Sequence, residues 1–239
     1  MLRTAAVIVV EPDGNSLRTI ITGGKRIYTG IYQSRKTGRS NPWESPEVEL
    51  PAMMEAEVRT DVKWWLAQPL RFEFWEGPKK LVYIPDQARR VLEGTTWRVV
   101  ILECKRTKEE ISRDPDYEHK LQIFKEICAQ IRWRFEIVAE ADLGTQTYRR
   151  NIETINLDRR TRVDARDVDT LRSLAFHGVF AYGAGCEALG GYVVGKKKLH
   201  ALMVRRVAAV PLDRVICRDT SVAIVDRSSE PLGGDGLFD

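Results

Sequence analysis

The sequence predicts an α/β protein: a central mixed sheet flanked by helices, followed by a smaller and mainly helical module. Three observations lead there. Between Leu70 and Ala139, short apolar runs of strand-like period two are interrupted by one long stretch of helical spacing. Beyond Leu143 the strand runs give way to helical ones. Charge is also segregated: residues 1–40 carry +5, residues 41–143 carry −4, residues 144–206 carry +6 and residues 207–239 carry −3, although the net charge is only +4. The basic segments suit anionic partners, and the acidic centre suits cations.

The chain has 239 residues, 43% hydrophobic and 30% charged, enough to bury a sizeable core. That composition excludes disordered and low-complexity classes. No apolar run approaches the roughly 18 to 20 residues that span a bilayer. Ala5–Val10 is too short for a signal-peptide core, so the expectation is a soluble, cytoplasmic protein. Cys104, Cys128, Cys186 and Cys217 lie far apart without a CxxC pair. A disulfide framework and a compact zinc site are therefore not expected. The equally scattered His119, His177 and His200 read as packing or surface residues.

Residues 1–40 read as an N-terminal hairpin and a basic arm. Ala5–Glu11 and Leu17–Thr22 are strand-like and flank the turn residues Pro12-Asp13-Gly14-Asn15. Gly23–Asn41, poor in large aliphatics, follows as the arm. Ser45-Pro46 has the form of a helix cap with proline at the first position, predicting a helix to about Gln68 with a break near Leu50 caused by Pro51. Adjacent Trp64 and Trp65 on such a helix would face different ways. Three strands are predicted at Leu70–Phe74, Lys80–Ile84 and Trp97–Glu103, the last apolar enough to be central. Asp114-Pro115 opens another helix, with Tyr117, Leu121, Phe124, Ile127, Cys128 and Ile131 at helical spacing to about Trp133. Phe135–Ala139 is a fourth strand, and residues 41–143 form the core.

Residues 144–230 read as the second module. Asp164–His177, Gly185–Leu189 and a basic-starting Lys196–Ala209 are helical, with short strands at Val215–Cys217 and Val222–Val225. Three helices followed by a hairpin is the order of a winged helix. Residues 231–239 read as a glycine-rich tail.

The chemistry gathers at two strand ends. Residues two apart on a strand share a face, so Glu103 and Lys105 project together while Cys104 points away. If the strand ending at Pro85-Asp86 is a neighbour, Asp86 reaches the same patch. Asp86, Glu103 and the Cys104 backbone carbonyl are hard oxygen ligands suited to Mg²⁺, with phosphate and water completing the shell. A metal there would activate water and neutralise charge on a phosphodiester, and Lys105 would orient water or steady the phosphate. A solvated strand terminus would carry the same residue types.

This context resembles the TnsA family, the endonuclease subunit of heteromeric transposases, over roughly Gly23 to Lys105. The resemblance is carried by Thr29-Gly30, Ser34-Arg35-Lys36-Thr37-Gly38-Arg39, Glu44-Ser45, Glu49, Glu57, Asp61-Val62, Gln68-Pro69, Pro85-Asp86 and Glu103-Cys104-Lys105, in order and at the family spacing. It implies a PD-(D/E)xK core of the restriction-endonuclease-like superfamily. It further implies a site in which Glu49 is the helix-borne acid, Asp86 and Glu103 bind metal, and Lys105 is the catalytic lysine. Glu47 and Glu44 stand as alternatives to Glu49, and Pro46 and Pro51 depart from the family's uninterrupted helix. The expected cofactor is Mg²⁺, replaceable by Mn²⁺, as one or two ions. The implied activity is hydrolysis of the 5′, non-transferred strands at transposon ends, beside an integrase-type transposase and an AAA+ regulator. Arg35, Lys36 and Arg39, with Lys196, Lys197 and Lys198, are the expected DNA phosphate contacts. A phage genome-processing or head-associated nuclease, or a non-catalytic DNA-binding protein of the same fold, would use the same core.

Overall fold

The computed structural model describes residues 6–10, 16–17, 28–175, 178–225 and 230. They divide into two compact units. One holds the described residues up to Met53 together with Trp64–Leu143, and the other holds Met54–Lys63 together with those from Gly144 onward. The fold is mixed α/β.

The first unit is built on a four-stranded mixed sheet of order β4 (Val62–Ala67), β7 (Gln87–Glu93), β8 (Thr96–Lys105) and β9 (Arg134–Ala139). β7 runs antiparallel to β8, with Gln87 opposite Leu102, and β9 runs parallel to β8. A parallel pair needs a crossover, and the helices α2 (Glu109–Ser112) and α3 (Pro115–Gln130) provide it. β8 lies between two partners and buries Val100, Ile101 and Leu102. α3 starts where the sequence marks it: the Asp114 side chain accepts the Tyr117 N–H at 3.0 Å and Pro115 occupies the first turn. Its buried stripe, Leu121, Phe124, Ile127 and Cys128, packs with Phe72, Tyr83 and Ile101 in one apolar cluster.

A second sheet joins β1 (Ala6–Val10), β5 (Leu70–Glu76) and β6 (Lys79–Tyr83). β5 alternates cleanly, with Leu70, Phe72 and Phe74 fully buried. The expected hairpin partner of the first strand falls mostly outside the described residues, and the pairing seen for β1 is antiparallel to β5. The basic arm is corrected to a hairpin of its own, β2 (Gly30–Gln33) against β3 (Ser40–Trp43). Buried Tyr32 anchors it on Trp65, with ring centroids 5.6 Å apart. Its tip is closed by the Ser34 hydroxyl, which accepts the Thr37 N–H, and by Gly38 at φ +68°.

The long helix expected from Ser45 to Gln68 is also corrected. Ser45 does cap, its hydroxyl accepting the Val48 N–H at 3.1 Å. The helix α1 then covers only Glu49–Val58 and β4 follows. Pro51 falls in the first helical turn, where backbone N–H groups lack helical partners anyway, so no break occurs at Leu50. Trp64 and Trp65 alternate on a strand, Trp65 fully buried and Trp64 partly so.

The second unit contains α4 (Gln146–Leu157), α5 (Ala165–Leu174), β10 (Phe180–Ala181), α6 (Tyr182–Ala188), α7 (Tyr192–Val204), β11 (Ala208–Ala209) and β12 (Ser221–Ile224). The strands form an antiparallel sheet of order β10-β12-β11. α4 is an element the sequence reading lacked, and Val215–Cys217 is not a strand. The third helix starts at Tyr192 and ends at Val204, so Lys196 to Lys198 sit in its middle. α6 and α7 touch so closely that a Cβ on Gly195 would lie 1.8 Å from the Cys186 carbonyl oxygen. Among the described residues, no helix is long and apolar enough to cross a membrane.

His200 on α7 is 1% exposed and hydrogen-bonded on both ring nitrogens, to Asp158 and to the Tyr182 hydroxyl, each at 2.7 Å. A carboxylate only accepts, so Nδ1 carries the proton and Nε2 accepts from Tyr182. Burial pushes the imidazole pKa below its usual value despite Asp158. The unfolded chain therefore takes up a proton that the folded state resists, and stability falls as pH drops below about 6.5. Hydrogen-exchange protection of α7 should fall from pH 7.5 to 5.5, by up to about 1.4 kcal/mol per pH unit. His200→Gln should flatten that dependence.

Candidate functional site

Asp86 does not end a strand, as its sequence context predicts; it follows β6 and precedes β7, which pairs directly with β8. The ladder stops at Gln87 and Leu102. One step beyond, Asp86 Oδ2 accepts the backbone N–H of Cys104 at 2.7 Å. On its other side, the Asp86 carbonyl accepts the Gln68 N–H at 2.9 Å. Gln68 is buried and has φ +45°, a conformation uncommon outside glycine. The Gln68-Pro69 pair thus forms the bend that pins the Asp86 backbone.

Glu103 and Lys105 share a face of β8, with Lys105 Nζ 2.5 Å from Glu103 Oε1. Cys104 points the other way, into an apolar cluster with Val48, Ala52 and Leu143. Burial and the nearby Asp86 and Glu49 charges push its thiol pKa up, so it stays protonated. Glu103 is 3% exposed and accepts on both of its oxygens. Tyr117 donates its hydroxyl to Oε1, and Tyr83 donates to Oε2. Both phenols are pushed up in pKa by burial and by Glu103, which keeps them as donors. Neither tyrosine stands out in the sequence as a site residue; Tyr117 sits at helical spacing in the apolar stripe of α3.

Glu49 opens α1 and folds back so that its Oε2 accepts the Glu44 N–H at 2.9 Å. Glu44, Glu49, Asp86, Glu103, Cys104 and Lys105 all line one cleft of about 470 Å³, joined by Tyr83, Tyr117 and Lys120. Glu47 is exposed, accepts from the Ser45 hydroxyl at 3.3 Å, and does not line the cleft. Both Glu44 and Glu49 therefore remain at hand as the helix-side acid.

Charge in this cleft is out of balance. The loss of water around Asp86 pushes its pKa well above the usual carboxylate range, and the Glu103 and Glu49 charges push it further, against the Cys104 N–H and Lys105. Burial opposes protonation of Lys105, but the Glu103 and Asp86 charges outweigh it and raise its pKa. Lys120, on α3, is pushed down by burial, with Glu103 opposing.

Among the described residues, no group of three or more His, Cys, Asp or Glu side chains is placed to hold a metal ion. The donor set nonetheless fits Mg²⁺, which takes one or two carboxylates and leaves other positions to water and phosphate. A carboxylate has about four lone-pair sites. Asp86 uses one on Cys104 and Glu103 uses three on Lys105 and the tyrosines. The N–H and C=O of one strand residue point to the same edge, so the Cys104 carbonyl faces the Asp86 side.

The expected phosphate contacts divide. Arg35, Lys36 and Arg39 stand at the tip of the β2–β3 hairpin, Arg35 exposed. Lys197 is exposed on α7, Lys196 is half-buried, and Lys198 is tied to Asp167 at 2.7 Å. Arg205 caps carbonyls of Ala201 and Thr161, and buried Arg206 pairs with Glu230. The helix's basic end is thus spent on structure.

No protein-family model matches the chain, and no curated protein matches it.

Two substitutions should separate the electrostatics from the packing. Asp86→Asn keeps an acceptor for Cys104 while removing a crowded charge, so in metal-free buffer its melting temperature should equal or exceed that of the wild type. Tyr83→Phe removes a donor from a buried carboxylate and should cost about 1.5–3 kcal/mol in a denaturant titration.

Proposed function

We propose that the chain is a Mg²⁺-dependent DNA endonuclease, the TnsA-like subunit of a heteromeric transposase. The observation that carries this reading is the convergence of Asp86, Glu103 and Lys105 on one cleft, with Asp86 bonded to the backbone between the other two. The mixed sheet with its antiparallel β7–β8 pair and parallel β9 supports a restriction-endonuclease-like core. The order α5, β10, α6, α7, β11, β12, with β12 central in its sheet, supports a winged helix. Asp86, Glu103 and the Cys104 carbonyl would hold the ion, with Mn²⁺ as a substitute. When bound, it supplies a more acidic water and neutralises charge building on the phosphate.

The chain's own residues do the rest. Lys105, kept protonated by Glu103, offers its remaining N–H bonds to the attacking water or to a non-bridging phosphate oxygen. Tyr83 and Tyr117 fix the Glu103 carboxylate so that it need not reorganise as charge develops. Glu49, locked on the Glu44 N–H, adds a further carboxylate to the cleft. The hairpin tip supplies non-specific grip on the backbone, and Lys197, exposed in the middle of α7, supplies a second contact.

Purified protein, with its partner transposase where one is encoded alongside, should nick duplex DNA when Mg²⁺ or Mn²⁺ is present. Asp86→Ala, Glu103→Ala and Lys105→Ala should each lose at least about 100-fold in rate. Wild-type nicking by Asp86→Ala would refute the site. Replacing Arg35, Lys36 and Arg39 together by alanine should lower the slope of log affinity against log salt by up to about 2.7, counting 0.9 per lost phosphate contact.

A further inference from the structure

We infer that Lys120 is a second phosphate-gripping residue of the cleft, one that touches the DNA backbone directly; this rests on the nuclease reading above. The two cleft lysines are not equivalent. Lys105 is committed to Glu103 at 2.5 Å. Lys120 forms no ion pair or hydrogen bond with the described residues. Its Nζ rests 4.8 Å from the ring centroid of Tyr117 and 5.9 Å from that of Tyr83.

Those rings already have a task, since their hydroxyls fix Glu103. Their faces therefore form a rigid shelf, and cation–π attraction holds the ammonium there without using its N–H donors. Tyr117 and Lys120 are three residues apart on α3 and so share one helix face. A half-buried ammonium on a cleft wall, with three donors directed at nothing in the described chain, suits an anionic oxygen.

Asp86, Glu103 and Glu49 line the same cleft and repel any bare anion, so an anionic ligand there must meet both Lys120 and a cation held by those carboxylates. A phosphodiester has two non-bridging oxygens on different sides of phosphorus. One can face a cation held by the carboxylates while the other takes Lys120.

The test uses the full chain and a short DNA duplex in an Asp86→Asn background, which removes one carboxylate charge and prevents turnover. Adding Lys120→Ala should weaken binding about 10-fold or more and lower the salt slope by about 0.9. Lys120→Arg should restore both. Lys125→Ala, on an exposed position of the same helix outside the cleft, should change neither and reports on helix integrity. With Asp86 intact, Lys120→Ala should raise the half-saturating DNA concentration more than it lowers the maximal nicking rate.

Unchanged affinity and salt slope in Lys120→Ala overturn the inference. If that result comes with nicking that still requires Asp86, the phosphate grip fails and the nuclease reading stands. If nicking ignores Asp86 while Lys120→Ala still weakens binding, the grip stands and the catalytic assignment fails. Absence of DNA binding at every salt concentration overturns both.

Discussion

The hydrogen bond from the Cys104 N–H to Asp86 Oδ2 is the constraint on which the candidate site depends. The β7–β8 ladder ends one residue earlier, and without a further rung the two strands could splay. A side-chain carboxylate supplies that rung. It spends one acceptor site and leaves the rest directed at the cleft. It also fixes Asp86 relative to the strand whose alternation places Glu103 and Lys105, so three groups from two strands are held by backbone geometry. Gln68 completes the arrangement from behind, through a bend whose positive φ the buried surroundings must hold in place.

The two cleft carboxylates are treated in opposite ways. Glu103 is almost wholly removed from water, yet Lys105 balances its charge and two phenols donate to it. Asp86 has one backbone donor and two acidic neighbours. Stability would favour a better-compensated Asp86, and the fold leaves it under-compensated. A rigid acceptor thus stands beside an electron-rich one, and the second would gain most from any positive charge brought into the cleft. The cost is local and the core bears it: α3 and β5 meet beneath through Phe72 and Phe124, whose rings are 4.6 Å apart.

Much of this could be read in the sequence wherever one physical rule acted alone. Strict alternation marked β5, a continuous apolar run marked β8, and the Asp114-Pro115 cap marked α3. The shared face of Glu103 and Lys105 followed from strand period alone. Reading failed where tertiary contacts outvoted the local pattern. β7 carries Arg89 and Arg90 in a buried strand, where the Ala52 carbonyl and the Gln87 side chain receive Arg89 and the Trp97 ring receives Arg90. Residues 62–67 look helical beside α1 but are recruited into the sheet, with Trp65 buried against Tyr32. α4 presents only a thin stripe of Tyr148, Ile152 and Ile155, although Thr145, which caps it by accepting the Tyr148 N–H, was a usable signal. The tyrosines on Glu103 come from separate elements, and no spacing rule links residue 83 to residue 117.

Helix α1 belongs to both units: Glu49 opens it in the cleft-bearing one, while Val58 lies in the apolar cluster of the other with Ile155, Leu171 and Leu202. The chain therefore crosses from unit to unit more than once. Recombination that exchanged the C-terminal part at a single junction after Leu143 would strand residues 54–63 among a core they did not evolve with. Such a fold can change its second module only by two coordinated crossovers or by gradual substitution. Genes built this way should diversify by drift within an intact frame, and shuffled hybrids joined at Gly144 would inherit a mismatched helix.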